Sequence, residues 1–330
     1  QVIVITLGLL LSLWARTSWA ETHVSTHITN DTIWTAANSP YIIDSSIQVK
    51  PGASLTLQGA TVQFAGPLVG LSVFGALDCY DSVLTSVADS GPGEWYGVRY
   101  AGGSQPGLIE GCEFRHGGYG SAGHAYGAVK IESGGHVTIL DSYFHHNQRS
   151  GVTATNATVE VDGSTFSDNQ YGVALLNARL IMTNSVVADN VNGLWFNLTD
   201  GYPMKPSLVD DNAIIDNSGY GINFGTSRVH DFAHGTRNVI QGNSDGAFED
   251  QIHTFYTWPD ADWRGNDFGP TFQCLCPFSQ GPLYMSTVSS IDQCITEDEP
   301  PEPGPVSTDL WWLPVDKVVY YCRTDKLLTY

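Results

Sequence analysis

The chain has 330 residues, 42% of them hydrophobic and 15% charged, which is apolar material enough for one large core and too much for a disordered chain. Its 14 basic and 34 acidic residues leave a formal charge of −20, which repels nucleic acid and anionic membrane surfaces and argues against both as partners.

The first twenty residues, QVIVITLGLLLSLWARTSWA, hold an apolar run from Val2 to Trp14 and close on the small residues Ser18 and Ala20. Residues 1–20 read as a secretory signal, with an uncleaved anchor as the alternative. No later stretch is long and apolar enough to span a bilayer. A secreted, cell-surface or periplasmic location is expected, with no stable membrane insertion after signal cleavage. The cysteines Cys79, Cys112, Cys274, Cys276, Cys294 and Cys322 make an even count, which suits disulfides in an oxidising compartment.

From about residue 40 to 96 the chain alternates apolar and polar residues between Pro-Gly turn signals, as first rungs and an N-terminal cover would. The clearest repeat follows, in GVTATNATVEVDGSTFSDNQY and GVALLNARLIMTNSVVADNVN, where Gly151, Gly172 and Gly193 recur every 21 residues. At matching offsets stand Val159 and Leu180, Val161 and Met182, Ser164 and Ser185, Phe166 and Val187, Asn169 and Asn190. Short β-branched runs broken by Gly, Asn, Asp and Ser are strands, and a self-similar period of this length predicts a solenoid. One turn of it cannot bury its own apolar face, but stacked turns bury a continuous core. Three short strands and three bends per repeat favour an all-β, right-handed parallel β-helix with an N-terminal cover and a C-terminal cap. The domain spans 21–295, followed by an acidic Pro-rich linker at 296–309 and a truncated C-terminal segment at 310–330. A monomer is expected.

Stacking turns offsets into columns. Asn147, Asn169, Asn190, Asn217 and Asn243 form a ladder before each glycine, expected to occupy bends of positive φ. Cys79 and Cys112 are the first disulfide pair, because the step between rungs lies inside the Cα range that a disulfide tolerates.

The G-V and G-I starts, the D-S-Y-F, G-S-T-F and N-S-V-V motifs and the D-N bends resemble the parallel β-helix repeats of the pectin-lyase-like superfamily. The lead-in IQVKPGASLTLQGATVQFAG and the closing WRGNDFG at 263–269 are similar to secreted bacterial members, over roughly residues 25–275. The resemblance implies the fold. It leaves activity open among polysaccharide lyases, glycoside hydrolases, epimerases, adhesins and domains of copper-maturation proteins.

The column just before the Asn ladder reads His116, His146, Asp168, Asp189 and Asp216. Its oxygens would suit Ca²⁺, whereas His116, His146 and Asp168 together would suit a transition metal. A solvated bend rich in Asp is the structural alternative. Asp168, Asp189 and Asp216 are the candidate catalytic acids of a polysaccharide lyase or glycoside hydrolase, with Arg115, Lys130 and Arg149 as the nearby cations. A third column, Tyr96, Tyr126, Tyr171 and Tyr220 with Trp195, could stack on sugar faces, and Arg115 completes the expected substrate-binding set. The loop at 197–207 would wall that groove. His230-Asp-Phe-Ala-His234 lacks the Glu of a zincin helix. The partner expected is a polysaccharide or cell-surface glycan, bound or processed along the long face. A non-catalytic adhesion module and a metal-handling domain are the alternatives.

Overall fold

The computed structural model describes residues 21–121, 125–197, 207–225, 233–244, 252–254, 266, 296–297, 310–315 and 318–323. The segment 1–20, most of the 197–207 loop, His230 and four of the cysteines lie outside those residues or outside the described side chains. Among the described residues no helix is long and apolar enough to cross a membrane.

The chain winds through about nine turns of a parallel β-solenoid. Each turn visits three sheets in the same order. Sheet 1 contains Gly97–Tyr100, Gly127–Ile131, Ser150–Thr155, Tyr171–Leu176 and Asn192–Asn197. Sheet 2 contains Ala76–Tyr80, Gly107–Glu110, His136–Leu140, Thr158–Asp162 and Arg179–Thr183. Sheet 3 contains Val83–Ser86, Glu113–Arg115, Tyr143–His145, Thr165–Ser167 and Val186–Ala188. Every pairing between successive turns is parallel, and the register follows the repeat: Val159 faces Leu180, Val161 faces Met182 and Phe166 faces Val187. A separate antiparallel sheet joins Thr296–Glu297, Leu310–Val315 and Val318–Arg323, so the first two residues of the expected linker are paired as strand.

Alternation points every second residue inward, and the inward residues stack on their equivalents one rung away. Phe114, Phe144 and Phe166 lie face to face with centroids 4.8 and 5.0 Å apart. Cys79 and Cys112 are joined by a buried disulfide, with Cα atoms 6.4 Å apart.

Two corners are closed by polar ladders. Between sheets 3 and 1, each Asn Nδ2 donates to the Oδ1 of the next: Asn147 to Asn169, Asn169 to Asn190 and Asn190 to Asn217 at 3.0 Å, and Asn217 to Asn243 at 2.8 Å. These side chains are buried and consume backbone groups that the bends would otherwise orphan. Between sheets 2 and 3 a second ladder runs through Ser142, Ser164, Ser185, Asn212, Asn238 and Asn266. The Asn266 of WRGNDFG is thus a ladder step, fully buried.

The ladder asparagines do not carry the positive φ. That conformation falls one residue earlier, on His116 (62°), His146 (52°), Asp168 (54°), Asp189 (58°) and Asp216 (54°), and Gly242 takes the next place. Asp, Asn and His tolerate the left-handed region better than other side chains do. The backbone thereby explains why this column is rich in Asp.

Candidate functional site

The three candidate catalytic acids, Asp168, Asp189 and Asp216, are exposed bend residues on successive turns. Asp168 Oδ2 accepts from Ser167 Oγ at 3.0 Å. Asp216 leans over the neighbouring turn, its Oδ1 occupying the space where a Cβ on Gly242 would lie.

At the upper end of the same column the side chains do converge. Arg115, on sheet 3, gives Nε and Nη2 to the two oxygens of Asp89 at 2.8 and 2.7 Å, and Nη1 to Glu113. His116 Nδ1 lies 2.9 Å from Asp89 Oδ1. His145 Nε2 lies 2.9 Å from Glu113 Oε1, and its Nδ1 lies 2.8 Å from His146 Nδ1. His146 Nδ1 in turn is 3.9 Å from Asp168 Oδ2. Tyr143 stacks on His145 at 4.0 Å and hydrogen-bonds through its hydroxyl to Ser167 Oγ.

This network fixes charge. The Arg115 hydrogen bonds hold the Asp89 carboxyl well below the usual carboxylate range, and the two acids raise the guanidinium in return. Burial pushes Glu113 up, but hydrogen bonds from His145 and Arg115 outweigh it and leave the group lowered. Burial dominates at His145, whose pKa falls although Glu113 opposes the shift. Among the described residues no group of three or more His, Cys, Asp and Glu side chains is arranged to hold a metal ion. Of the expected metal set, His116 is engaged by Asp89, while His146 and Asp168 approach each other.

The aromatic column divides. Gly127 pairs with Ser150, not Gly151, so Tyr126 sits one residue before the level of Tyr171. The sequence between Gly117 and Tyr126 is longer than its counterpart in the next repeat and absorbs the offset, and Gly120 lies under the Tyr126 ring, where any Cβ would collide with it. Tyr126 meets Tyr96 edge-on at 6.0 Å, and Lys130 Nζ stands 5.9 Å from its centroid. Arg99 is in register with Lys130 on the adjacent strand, and both pair with Glu132. Burial pushes Glu132 up, yet the two cations hold it below its ordinary value. Tyr96, Arg99, Tyr126 and Lys130 line a narrow notch on the outward face of sheet 1.

Further along, Tyr171 and Trp195 form a tilted pair at 6.2 Å, but Trp195 is only 8% exposed. Thr153 and Ala174, on the two preceding strands in register with it, are buried as well, so Trp195 is not the open sugar platform expected. Tyr220 is half-buried and lies level with Asn192, whose Oδ1 accepts from its backbone N–H at 3.3 Å.

Residues 96–250 match the family model described as a right handed beta helix region. The chain is a right-handed parallel β-helix repeat protein. No curated protein matches it.

Asp89 and Glu113 are the members of the β-helix network that the column reading missed. Asp89 belongs to an inserted turn with no equivalent offset. Glu113 was legible in principle, because Glu-Phe-Arg-His at 113–116 lies over Tyr-Phe-His-His at 143–146 around the inward Phe pair. A depression of about 570 Å³ on sheet 2, lined by Thr56, Gln58, Gly59, Asp78, Tyr80 and Asp81, also has no forerunner in the motifs.

Proposed function

We propose that this protein is an exported, non-catalytic glycan-binding β-helix that holds a polysaccharide across the outward face of sheet 1, at Tyr96, Arg99, Tyr126 and Lys130. The observation that carries the reading is the perpendicular Tyr96–Tyr126 pair flanked by two in-register cations. Half-exposed aromatic rings offer apolar faces to sugar rings, and the cations and Glu132 offer hydrogen bonds to hydroxyl or acidic substituents. Arg99 and Lys130 place two cations around Glu132 on this face of a chain of net charge −20.

Cleavage at the Arg115, Asp89 and Glu113 network fits less well. A lyase base must give up its proton, whereas the two acids bound to Arg115 raise its pKa. A glycosidase needs one carboxyl held protonated, and both Asp89 and Glu113 are lowered. Asp168, Asp189 and Asp216 stand exposed on separate bends of left-handed φ.

Affinity electrophoresis of the full chain through gels containing neutral, uronate-bearing or amino polysaccharides tests the reading. Retardation in at least one gel, lost in Tyr126→Ala and Lys130→Ala but kept in Tyr171→Ala, is expected. Unretarded migration in every gel rejects glycan binding, and release of unsaturated or reducing ends from the retained polymer rejects the non-catalytic assignment.

A further inference from the structure

His145 gives its two ring nitrogens to different neighbours. An ionised carboxylate can only accept, so the Nε2 facing Glu113 Oε1 carries the proton. Neutral His145 therefore presents a bare Nδ1, and that nitrogen faces His146 Nδ1 at 2.8 Å. The His145 side chain is 13% exposed. His146 is 52% exposed and Asp168 44%, so both can adjust, and Asp168 Oδ2 already lies 3.9 Å from His146 Nδ1.

The surroundings of the pair are built as an outer shell. Glu113 orients His145 and is itself fixed by Arg115, which grips Asp89 with its other nitrogens. An imidazole that donates one N–H to an anchored carboxylate has a fixed tautomer and a more basic second nitrogen, the arrangement found behind metal-binding histidines.

We propose that His145 and His146, with Asp168 as third donor, bind a divalent transition-metal ion of the Zn²⁺, Cu²⁺ or Ni²⁺ type. His146 Nδ1, the donor in that contact, must pass its proton through solvent to its own exposed Nε2, and the two Nδ1 atoms then need only part to about 3.3 Å to share an ion at roughly 2.0–2.1 Å in tetrahedral geometry. Among the described residues no three such donors are already arranged around a common point. The exposed His146 and Asp168 are the ones drawn in. Imidazole nitrogens select these ions over Ca²⁺, which takes oxygen ligands. Solvent or an exogenous ligand fills the remaining positions.

Isothermal titration of the full chain, carrying no polyhistidine tag, with Zn²⁺ should give one ion per chain. His146→Ala, an exposed change that leaves the core intact, should weaken binding at least tenfold, and Glu113→Gln should weaken it by about 10–100-fold. His136→Ala, whose ring is exposed and 3.3 Å from Glu160, should leave it unchanged. Cu²⁺-loaded chain should show hyperfine coupling from two nitrogens by electron paramagnetic resonance. Failure of the wild-type chain to bind Zn²⁺, or undiminished binding in the His145→Gln/His146→Ala double variant, overturns the proposal.

Discussion

Asn169→Ala separates the ladder from the bend column beside it. The Asn169 Oδ1 accepts from Asn147 N at 3.1 Å and from Asn147 Nδ2 at 3.0 Å, while its own Nδ2 donates to Phe144 O at 2.9 Å and Asn190 Oδ1 at 3.0 Å. Truncation removes all four. Asn190 Oδ1 keeps the Asn169 backbone N–H, and Asn147 Nδ2 keeps Phe114 O, so those atoms stay satisfied. The Asn147 backbone N–H loses its acceptor inside a buried corner. One orphaned buried donor costs about 1–3 kcal/mol and each of the three other lost bonds about 0.5–1.5, so the total loss is roughly 2.5–7.5 kcal/mol. With a urea m-value of about 3 kcal/mol/M, the midpoint should fall by roughly 0.8–2.5 M at unchanged m. Asp168→Gly, one residue earlier, relieves a left-handed φ and should shift stability by less than about 1 kcal/mol. Urea unfolding followed by far-ultraviolet circular dichroism measures both. Equal, small losses in the two variants would refute the division between a structural ladder and a permissive bend.

Gly163→Ala forces a side chain at φ 61° into the space of Asp141 Oδ1, so it should cost more than Gly103→Ala, where φ is also positive but the space is open; thermal unfolding of both variants measures the difference. Replacing both Cys79 and Cys112 with Ala opens a cross-link of sequence separation 33, and the loop-entropy relation gives about 3–4 kcal/mol of lost stability by urea unfolding. Asp89 has a folded pKa below its unfolded value, so its stabilisation is complete above pH of about 4 and is lost as pH falls from there through the folded value. Thermal unfolding against pH should therefore decline more steeply below pH of about 4 in the wild type than in Asp89→Asn, and parallel profiles would contradict the Asp89–Arg115 coupling.

The shape was legible wherever the repeat kept its length. From Gly151 to Gly193 a spacing of 21 residues puts like side chains in register, and the observed pairs of Val159 with Leu180 and Phe166 with Val187 repeat that alignment. Between Gly117 and Tyr126 the repeat changes length, which puts Tyr126 one position off the column of Tyr171. Offsets identify which residues share a corner, but they do not say which of two neighbours turns inward. That is why positive φ was assigned to Asn169 and belongs to Asp168. The polar network was half visible, because Arg115, His116 and His146 recur by offset. Asp89 reaches them only through a folded insertion. Aromatic identity likewise does not report burial, which separates Trp195 from Tyr126.

Glycan binding at the sheet 1 notch is tested most directly by calorimetric titration of the retained polysaccharide into wild-type chain and Tyr126→Ala. Loss of one stacking ring worth about 0.5–1.5 kcal/mol predicts a Kd increase of roughly 2- to 12-fold, with Tyr171→Ala unchanged. An unaltered Kd in Tyr126→Ala would place the binding face elsewhere on the β-helix and contradict the account.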